Sequence, residues 1–148
     1  MEIKTMTDEQ RRAIPLEYVK RLDRGQDVLD LFDEHAIVYF PKWGFARGVN
    51  EIGRLFSDLM AILDAVSHDV IYPNIIQQGD MVVVESTTYG RTKGGVEWRA
   101  GLTHAGRWCD VFEIRDFKIQ RLSIYLDPDY EGADTARYPW LKDNQQPR

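Results

Sequence analysis

Hydrophobic and polar residues alternate with period two from Arg107 to Asp127, in two runs joined by a short charged turn. A strand sends alternate side chains to opposite faces, so this pattern predicts a β-hairpin. One face of its first run is an apolar row interrupted by a carboxylate: Trp108, Asp110, Phe112 and Ile114. Because a buried charge needs a partner or a task, Asp110 indicates that the hairpin forms the wall of a pocket.

Helical spacing of apolar residues in the N-terminal half predicts three helices, over residues 7–23, 27–33 and 51–64. Thr7 and Gln10 have the form of a capping box at the start of the first helix, which Pro15 either kinks or divides. Asp27 and Asn50 can cap the other two. The third helix carries a continuous apolar stripe.

Strand-like patterns dominate the second half of the chain. A short strand is predicted at residues 36–40, a loop at 41–48, and longer strands from His68 to the end of the hairpin. Turns are expected at 78–80 and at 94–96. The sequence therefore predicts an α+β domain in which three N-terminal helices pack in a strongly curved antiparallel or mixed sheet, with a cavity between the layers.

Length and composition limit the classes of function. The 148 residues fit one domain, with a core over about residues 7–127 and a tail over 128–148. The net charge of −5 argues against nucleic acid and against an anionic membrane surface, so a small apolar molecule is the expected partner. A lone cysteine, Cys109, no long apolar run and a polar N-terminus predict a cytoplasmic protein.

Four segments follow one another in a set order: EYVKRLDRGQDVLDLFDEHAIVYFP, FARGVNEIGRLFSDL, QQGDMVVVEST and DVFEIRDFKIQRLSIYLD. In that order they resemble the SnoaL-like branch of the superfamily named for nuclear transport factor two. The resemblance implies an α+β cone with a central cavity, commonly dimerised through its sheet. Such proteins include ketosteroid isomerases, polyketide cyclases, dehydratases, limonene-epoxide-hydrolase-like enzymes and non-enzymatic binders, so the fold does not decide the function.

The active sites known in that superfamily carry over only in part. Tyr18 matches the helix tyrosine that donates to the oxyanion in ketosteroid isomerases, but Phe40 stands where their general base would be, and their second acid falls near Arg107. The epoxide hydrolases, and at the last position the cyclases, use charged residues where this chain has Ser86, Thr88 and Ser123. Hydroxyls do not activate water as a carboxylate does, so the resemblance implies a rebuilt site.

Asp110 is the first candidate for an acid or a base, because an apolar neighbourhood raises a carboxyl pKa toward neutrality. Its alternatives are an outward position, or a structural pairing with Arg107 or Arg121. His68 and His104 can titrate near neutrality, and His104 shares the parity of Asp110 if the strand is unbroken. A His104 and Asp110 pair would then be a base with its orienting group, whereas the alternative for either histidine is a strand end bonded to solvent or to the backbone.

A second set of residues is expected to line the cavity and bind the substrate: Tyr39, Trp43, Phe56, Ser86, Thr88, Trp108, Phe112, Ser123 and Tyr125. Phenols such as Tyr18 and Tyr39 can hydrogen-bond a substrate carbonyl, or they can simply line a core. Trp43 either caps the mouth of the pocket or anchors its loop.

The sequence contains no metal-ligand spacing, phosphate loop or nucleophile motif, so no metal and no cofactor is expected. Two functions remain open. The first is a cofactor-independent isomerase, cyclase or dehydratase acting on a small apolar carbonyl or hydroxylated compound, and the second is a noncatalytic binding protein. A homodimer through the outward face of the sheet is also expected, with Trp98 as a central contact if it lies on that face.

Overall fold

Two α-helices and eight β-strands form the part of the chain that the computed structural model describes, which is residues 5–134, 137 and 138. In chain order the elements are α1 (Asp8–Asp23), β1 (Phe32–Phe40), β2 (Gly44–Arg47), α2 (Gly48–Ile62), β3 (Leu63–His68), β4 (Asn74–Gln78), β5 (Met81–Thr92), β6 (Glu97–Arg99), β7 (Arg107–Arg115) and β8 (Lys118–Leu126).

The strands form one curved, mixed sheet in the order β2, β1, β8, β7, β5, β3. Strand β1 runs parallel to β8, and the other pairs are antiparallel. Strand β5 is long enough to serve two parts of the sheet: its first part pairs with β4 and β7, and its last part with β3 and β6. The predicted hairpin at the end of the sheet is confirmed as β7 and β8.

Helix α1 begins where the sequence predicts. The side chain of Thr7 accepts a hydrogen bond from the Gln10 backbone, and the Gln10 side chain accepts one from the Thr7 backbone, which completes the capping box. Pro15 lies inside the helix and is buried, but it does not divide it. The helix therefore carries Tyr18 and Asp23 on one continuous element.

The prediction of three N-terminal helices is wrong, since the described residues form two. Residues 27–33 make only a single 3₁₀ turn at Leu29–Leu31, after which the chain pairs with β8 from Phe32 onward. The Asp27 side chain accepts a hydrogen bond from the Leu29 backbone and so closes a turn instead of capping a helix. The loop predicted at 41–48 contains β2, and α2 begins at Gly48, before Asn50.

The core lies between the two helices and the inner face of the sheet. Every second residue of β7 faces inward and is buried, as the alternation predicts: Trp108, Asp110, Phe112 and Ile114. Strand β8 contributes Ile119, Leu122 and Ile124 to the same core, and α2 contributes Ile52, Leu55 and Phe56. Asp110 is thus a carboxyl group among buried apolar side chains, which makes it the starting point for the site.

Candidate functional site

A small cavity lies between the helices and the inner face of the sheet, next to Asp110. Its volume is about 40 Å³, which is room for a few water molecules but less than the roughly 300 Å³ of an ordinary ligand pocket. Its lining is mostly apolar and consists of Tyr18, Leu22, Phe40, Phe56, Leu59, Met60, Leu63, Val66, His68, Trp108, Asp110, Ile124, Leu126 and Tyr130.

Asp110 is the buried carboxyl group of this cavity. On β7 it pairs with Val84 on one side and Ile124 on the other, both of them buried, and it is 4% exposed. Its Oδ1 has no hydrogen-bond partner in the part of the chain that is described. Burial raises the pKa of Asp110 well above its ordinary value, because the charged form loses its hydration. The side chain is therefore a neutral acid over a range in which an exposed aspartate is ionised.

His68 faces the same cavity and is held by Asp23. Its Nδ1 lies 2.5 Å from Oδ1 of Asp23, and its backbone N–H donates to Oδ2 of the same carboxylate at 2.9 Å. A carboxylate oxygen accepts this hydrogen bond, so the contact favours the neutral tautomer that carries its hydrogen on Nδ1 and presents Nε2 as the acceptor. The ring also packs edge-on against Trp108, at 5.3 Å between centroids. Asp23 at the end of α1 thus fixes both the tautomer and the orientation of the imidazole.

Two phenols complete the polar lining. Tyr18 on α1 is 2% exposed, and it packs against Phe112 and Phe56 at 5.6 and 6.0 Å. Burial, and then the nearby Asp110 carboxyl, raise the pKa of Tyr18 well above its usual range. Burial together with Asp110 and Asp127 raises the pKa of Tyr130 to about 12. Both hydroxyls therefore stay protonated near neutral pH and can donate hydrogen bonds.

Four of the residues predicted to form the site meet at this cavity together with Tyr18: Asp110, His68, Phe56 and Trp108. The indole Nε1 of Trp108 is buried and has no hydrogen-bond partner among the described residues. Phe112 lies in the core beneath Tyr18 and is not part of the cavity lining, so its predicted contact with a ligand there is wrong. The inward positions of Trp108, Asp110 and Phe112 agree with the alternation of the hairpin.

The predicted pairing of His104 with Asp110 is wrong. The chain between β6 and β7 folds into a turn with positive φ at Gly101 and Gly106, so the strand is broken and the parity argument fails. His104 instead points to the segment after β8, where its Nε2 lies 2.5 Å from the backbone oxygen of Asp129.

Three more predicted lining residues lie on the outer face of the sheet. Alternation in β1 turns Val38 and Phe40 inward, which sends Tyr39 outward. Tyr39 packs there against Tyr125 at 6.0 Å, and Ser123 pairs with Tyr39 on the same face. Their predicted role in the cavity is therefore wrong.

The remaining predicted residues also lie elsewhere. The Ser86 hydroxyl donates to the backbone oxygen of Asp69, on the wall of an outer groove. Thr88 is buried, and its hydroxyl accepts a hydrogen bond from the indole of Trp98. Trp43 is 44% exposed in the turn between β1 and β2, and it is not part of the cavity lining. Tertiary packing, which alternation does not encode, decides these three positions.

Asp23 and Tyr130 were not predicted, because no pattern in the chain marks either residue as part of a site. Asp23 lies 45 residues from His68 at the end of an amphipathic helix, where an acidic residue is unremarkable. Tyr130 belongs to the tail, which has no periodicity. The only signal in the tail is its aromatic content.

Within the residues described, no group of three His, Cys, Asp or Glu side chains is placed to hold a metal ion. Over the same residues, no helix is long and apolar enough to cross a membrane. The chemistry that the cavity itself offers is that of an acid, a base and phenol donors.

Comparison with solved structures identifies the fold. An NTF2-like protein from Burkholderia xenovorans LB400 is 19% identical, with 86% of this chain and 97% of that chain covered and a TM-score of 0.64. A candidate SnoaL-like polyketide cyclase from Jannaschia sp. CCS1 is 15% identical, with 86% and 92% covered and a TM-score of 0.66. TerC, co-crystallised with polyporic acid, is 17% identical, with 91% and 99% covered and a TM-score of 0.66. At these identities the likeness shows the fold alone.

Comparison of the sequence with family models identifies the family of the chain. No curated protein shows significant sequence similarity to the chain. The family model of the SnoaL-like domain matches residues 17–122, which runs from the helix that carries Tyr18 to the last strand of the sheet. The chain therefore belongs to the SnoaL-like domain family.

Proposed function

We propose that this protein is a cofactor-independent enzyme of proton transfer, of the isomerase, cyclase or dehydratase type. Its substrate is a small, largely apolar compound that carries a carbonyl or hydroxyl group. The observation that carries the proposal is that Asp110 and the His68 and Asp23 pair converge on one buried cavity. An acid and a base held in one largely apolar site are what cofactor-independent proton transfer requires.

His68 is the base in this proposal. Asp23 holds the hydrogen on Nδ1, so that the lone pair of Nε2 is available to a substrate. Asp23 also stabilises the imidazolium that forms when Nε2 takes a proton. Asp23 is accordingly a positioning residue, and His68 is the catalytic residue.

Asp110 and Tyr18 are the donors. A carboxyl group kept neutral by burial can donate a hydrogen bond to a carbonyl oxygen, and this role is supported by Oδ1, which has no hydrogen-bond partner among the described residues. Tyr18 adds a second donor from α1. Two fixed donors in a largely apolar cavity stabilise a developing oxyanion more strongly than water does.

The proposed reaction balances without a cofactor. Nε2 of His68 takes a proton from the carbon next to the substrate carbonyl, and the electrons of that C–H bond form a carbon–carbon double bond. The carbonyl π electrons move to oxygen, where Asp110 and Tyr18 donate. In a β,γ-unsaturated substrate the oxyanion then re-forms the carbonyl, the new double bond stays between the α and β carbons, and the electrons of the old double bond take the proton from His68 at the γ carbon. In a β-hydroxy substrate the oxyanion re-forms the carbonyl, a double bond forms between the α and β carbons as the β C–O bond breaks, and His68 gives its proton to the departing hydroxyl, which leaves as water.

Neighbours of the same fold support a small organic ligand. A candidate polyketide cyclase and TerC, the latter crystallised with polyporic acid, share the fold of this chain. We therefore propose a small carbonyl or hydroxyl compound as the class of substrate for the cavity of this protein.

Deuterium exchange tests the proton transfer directly. The purified protein is incubated with cyclic ketones such as 2-tetralone in D2O, and deuterium entry next to the carbonyl is followed by NMR. We expect exchange above the uncatalysed background. Replacing the base by His68→Gln, or the acid by Asp110→Asn, is expected to lower the rate by about a hundredfold or more. Tyr18→Phe is expected to cost a similar factor through loss of one oxyanion donor.

The control is Ser123→Ala, on the outer face of the sheet, which is expected to exchange at the wild-type rate. Exchange by His68→Gln at the wild-type rate would show that His68 is not the base. Ligands that raise the melting temperature but are never exchanged or converted would favour a noncatalytic binding protein instead.

A further inference from the structure

The segment after β8 forms one wall of the cavity and is held by a few discrete contacts. Asp129 organises it: the carboxylate accepts hydrogen bonds from the backbone of Ala133 and Asp134 at 3.0 and 2.8 Å, and its backbone oxygen accepts one from Gly132. Two hydrogen bonds then attach the segment to other elements among the described residues. His104 bonds the Asp129 backbone oxygen at 2.5 Å, and the Glu131 carboxylate accepts from the Thr92 hydroxyl at 2.7 Å.

Tyr130 is the residue of this segment that reaches the cavity. Its ring packs on Trp98 with 4.5 Å between centroids, and it lines the cavity together with Asp110. Trp98 is itself fixed, because it is 2% exposed and its indole donates to Thr88. Tyr130 thus packs on a rigid platform at the edge of the cavity.

A cavity of about 40 Å³ admits no organic substrate, so part of its lining must move before a ligand enters. Most of the lining residues belong to α1, α2, β3, β7 and β8, whose backbones are bound into helices or into the sheet. Tyr130 lies outside every helix and strand. Opening at the segment therefore breaks the fewest interactions, and such segments are the ones that open at low free energy.

We propose that residues 127–134 form a lid, and that Tyr130 both gates the cavity and contacts the bound ligand. His104 is the anchor that holds the lid closed. The inference rests on the proposed function only for the choice of this cavity as the ligand site. The ligand class that suits this site is a flat ring bearing a hydroxyl or carbonyl group. When the lid closes over such a ligand, the Tyr130 ring would pack on its ring and the Asp110 carboxyl group would meet its oxygen.

The binding kinetics of 2-naphthol, followed by its fluorescence in a stopped-flow instrument, test the lid. This probe is not converted, so the measurement does not depend on acid–base catalysis. We expect Tyr130→Ala and His104→Ala to associate about three- to tenfold faster than wild type, since each removes a closing contact. Tyr130→Phe keeps the ring, so it is expected to associate at the wild-type rate and to dissociate about tenfold faster for want of the hydroxyl contact.

The matched control is Tyr72→Ala, an 84% exposed tyrosine remote from the cavity lining, which is expected to match wild type in both rates. Binding of 2-naphthol needs no proton transfer, so failure of the lid appears in these rates, whereas failure of the proposed base appears in the deuterium exchange. Association of Tyr130→Ala and His104→Ala at the wild-type rate overturns the gate. Failure of 2-naphthol to bind either wild type or Tyr130→Ala overturns the ligand class.

Hydrogen exchange of the free protein tests the same lid without a ligand. We expect the amides of Gly132, Ala133 and Asp134 to exchange faster than those of the β7 and β8 ladder, and His104→Ala to raise their rates about tenfold. Lid amides that are as protected as the ladder, and that do not respond to His104→Ala, overturn the proposal.

Discussion

At the scale of single residues, the protonation of Asp110 links stability to pH. Folding raises its pKa above the value of about 3.9 expected in an unfolded chain, because burial disfavours the carboxylate. Between these two pKa values the folded protein holds a proton that the unfolded chain has released. Stability from this group is therefore fully present below about pH 4 and falls as the pH rises toward the folded pKa.

Asp110→Asn isolates this effect, because the amide has nearly the same shape and does not titrate. Relative to the variant, we expect wild type to lose up to about 1.4 kcal/mol in the free energy of unfolding for each pH unit above about pH 4. Urea unfolding of both proteins from pH 4 to 8 measures the difference, and titrations common to both cancel. A difference that stays constant over that range would show that Asp110 is not buried as described.

The inward position of Asp110 could be predicted because alternation is a local property of one strand. The pairing of His68 with Asp23 could not, since it depends on where the end of α1 meets β3. The predicted pairing of His104 with Asp110 was wrong for a related reason. The two side chains share a face only if the strand is unbroken, and the positive φ of Gly106 belongs to a turn instead. Spacing along the chain predicts which face a side chain takes, but not which distant group it meets.

At the scale of elements, the predicted boundaries hold where a local signal fixes them. The capping box at Thr7 sets the start of α1, and the alternation after residue 107 sets the final hairpin. The sequence predicts the first strand only from residue 36, because Asp33, Glu34 and His35 are polar and show no strand pattern. Pairing with β8 nevertheless makes the strand begin at Phe32. Sheet pairing of this kind overrides the preference of the individual residues.

Gly90 shows how closely two strands and the Trp98 platform fit together. A Cβ at this position would lie 2.2 Å from the backbone oxygen of Ala65 on β3 and 2.4 Å from the Trp98 ring. The backbone oxygen cannot yield without breaking the pairing of β3 with β5. Close approach, and not a special φ, is therefore what requires glycine here.

We expect Gly90→Ala to lower the free energy of unfolding by about 3 kcal/mol, and to loosen the packing of Tyr130 on Trp98. Chemical denaturation measures the stability, and the near-ultraviolet circular dichroism of the tryptophans reports the packing. Glu85→Ala, at an exposed position on the same strand, is expected to change the stability by less than about 0.5 kcal/mol. A Gly90→Ala protein as stable as that control would contradict the close approach.

At the scale of the whole molecule, the outer face of the sheet exposes apolar side chains that no other part of the described chain covers. Tyr125, Phe45 and Ile76 are 52%, 61% and 67% exposed, and Tyr39 packs against both Tyr125 and Phe45. The helices occupy the inner face, so they leave this one open. Trp98 was expected to be a dimer contact only if it lay on this face, and that condition is not met, because Trp98 is buried and packs against Tyr130.

We propose that a second copy of the chain covers this face in a homodimer. A stable interface of standard size buries about 800 Å² per partner, and a two-fold axis would place the Tyr39 and Tyr125 cluster of one copy against that of the other. We expect a dimer by sedimentation equilibrium at about 50 µM, a range in which specific interfaces usually persist.

Tyr125→Lys puts a charge into the interface and is expected to give monomers at that concentration, because an unpaired buried charge is costly. Ile62→Lys, at an exposed site at the end of α2, is the matched control and is expected to remain dimeric. A wild-type monomer at this concentration would contradict the proposal, and so would dissociation of both variants to the same extent.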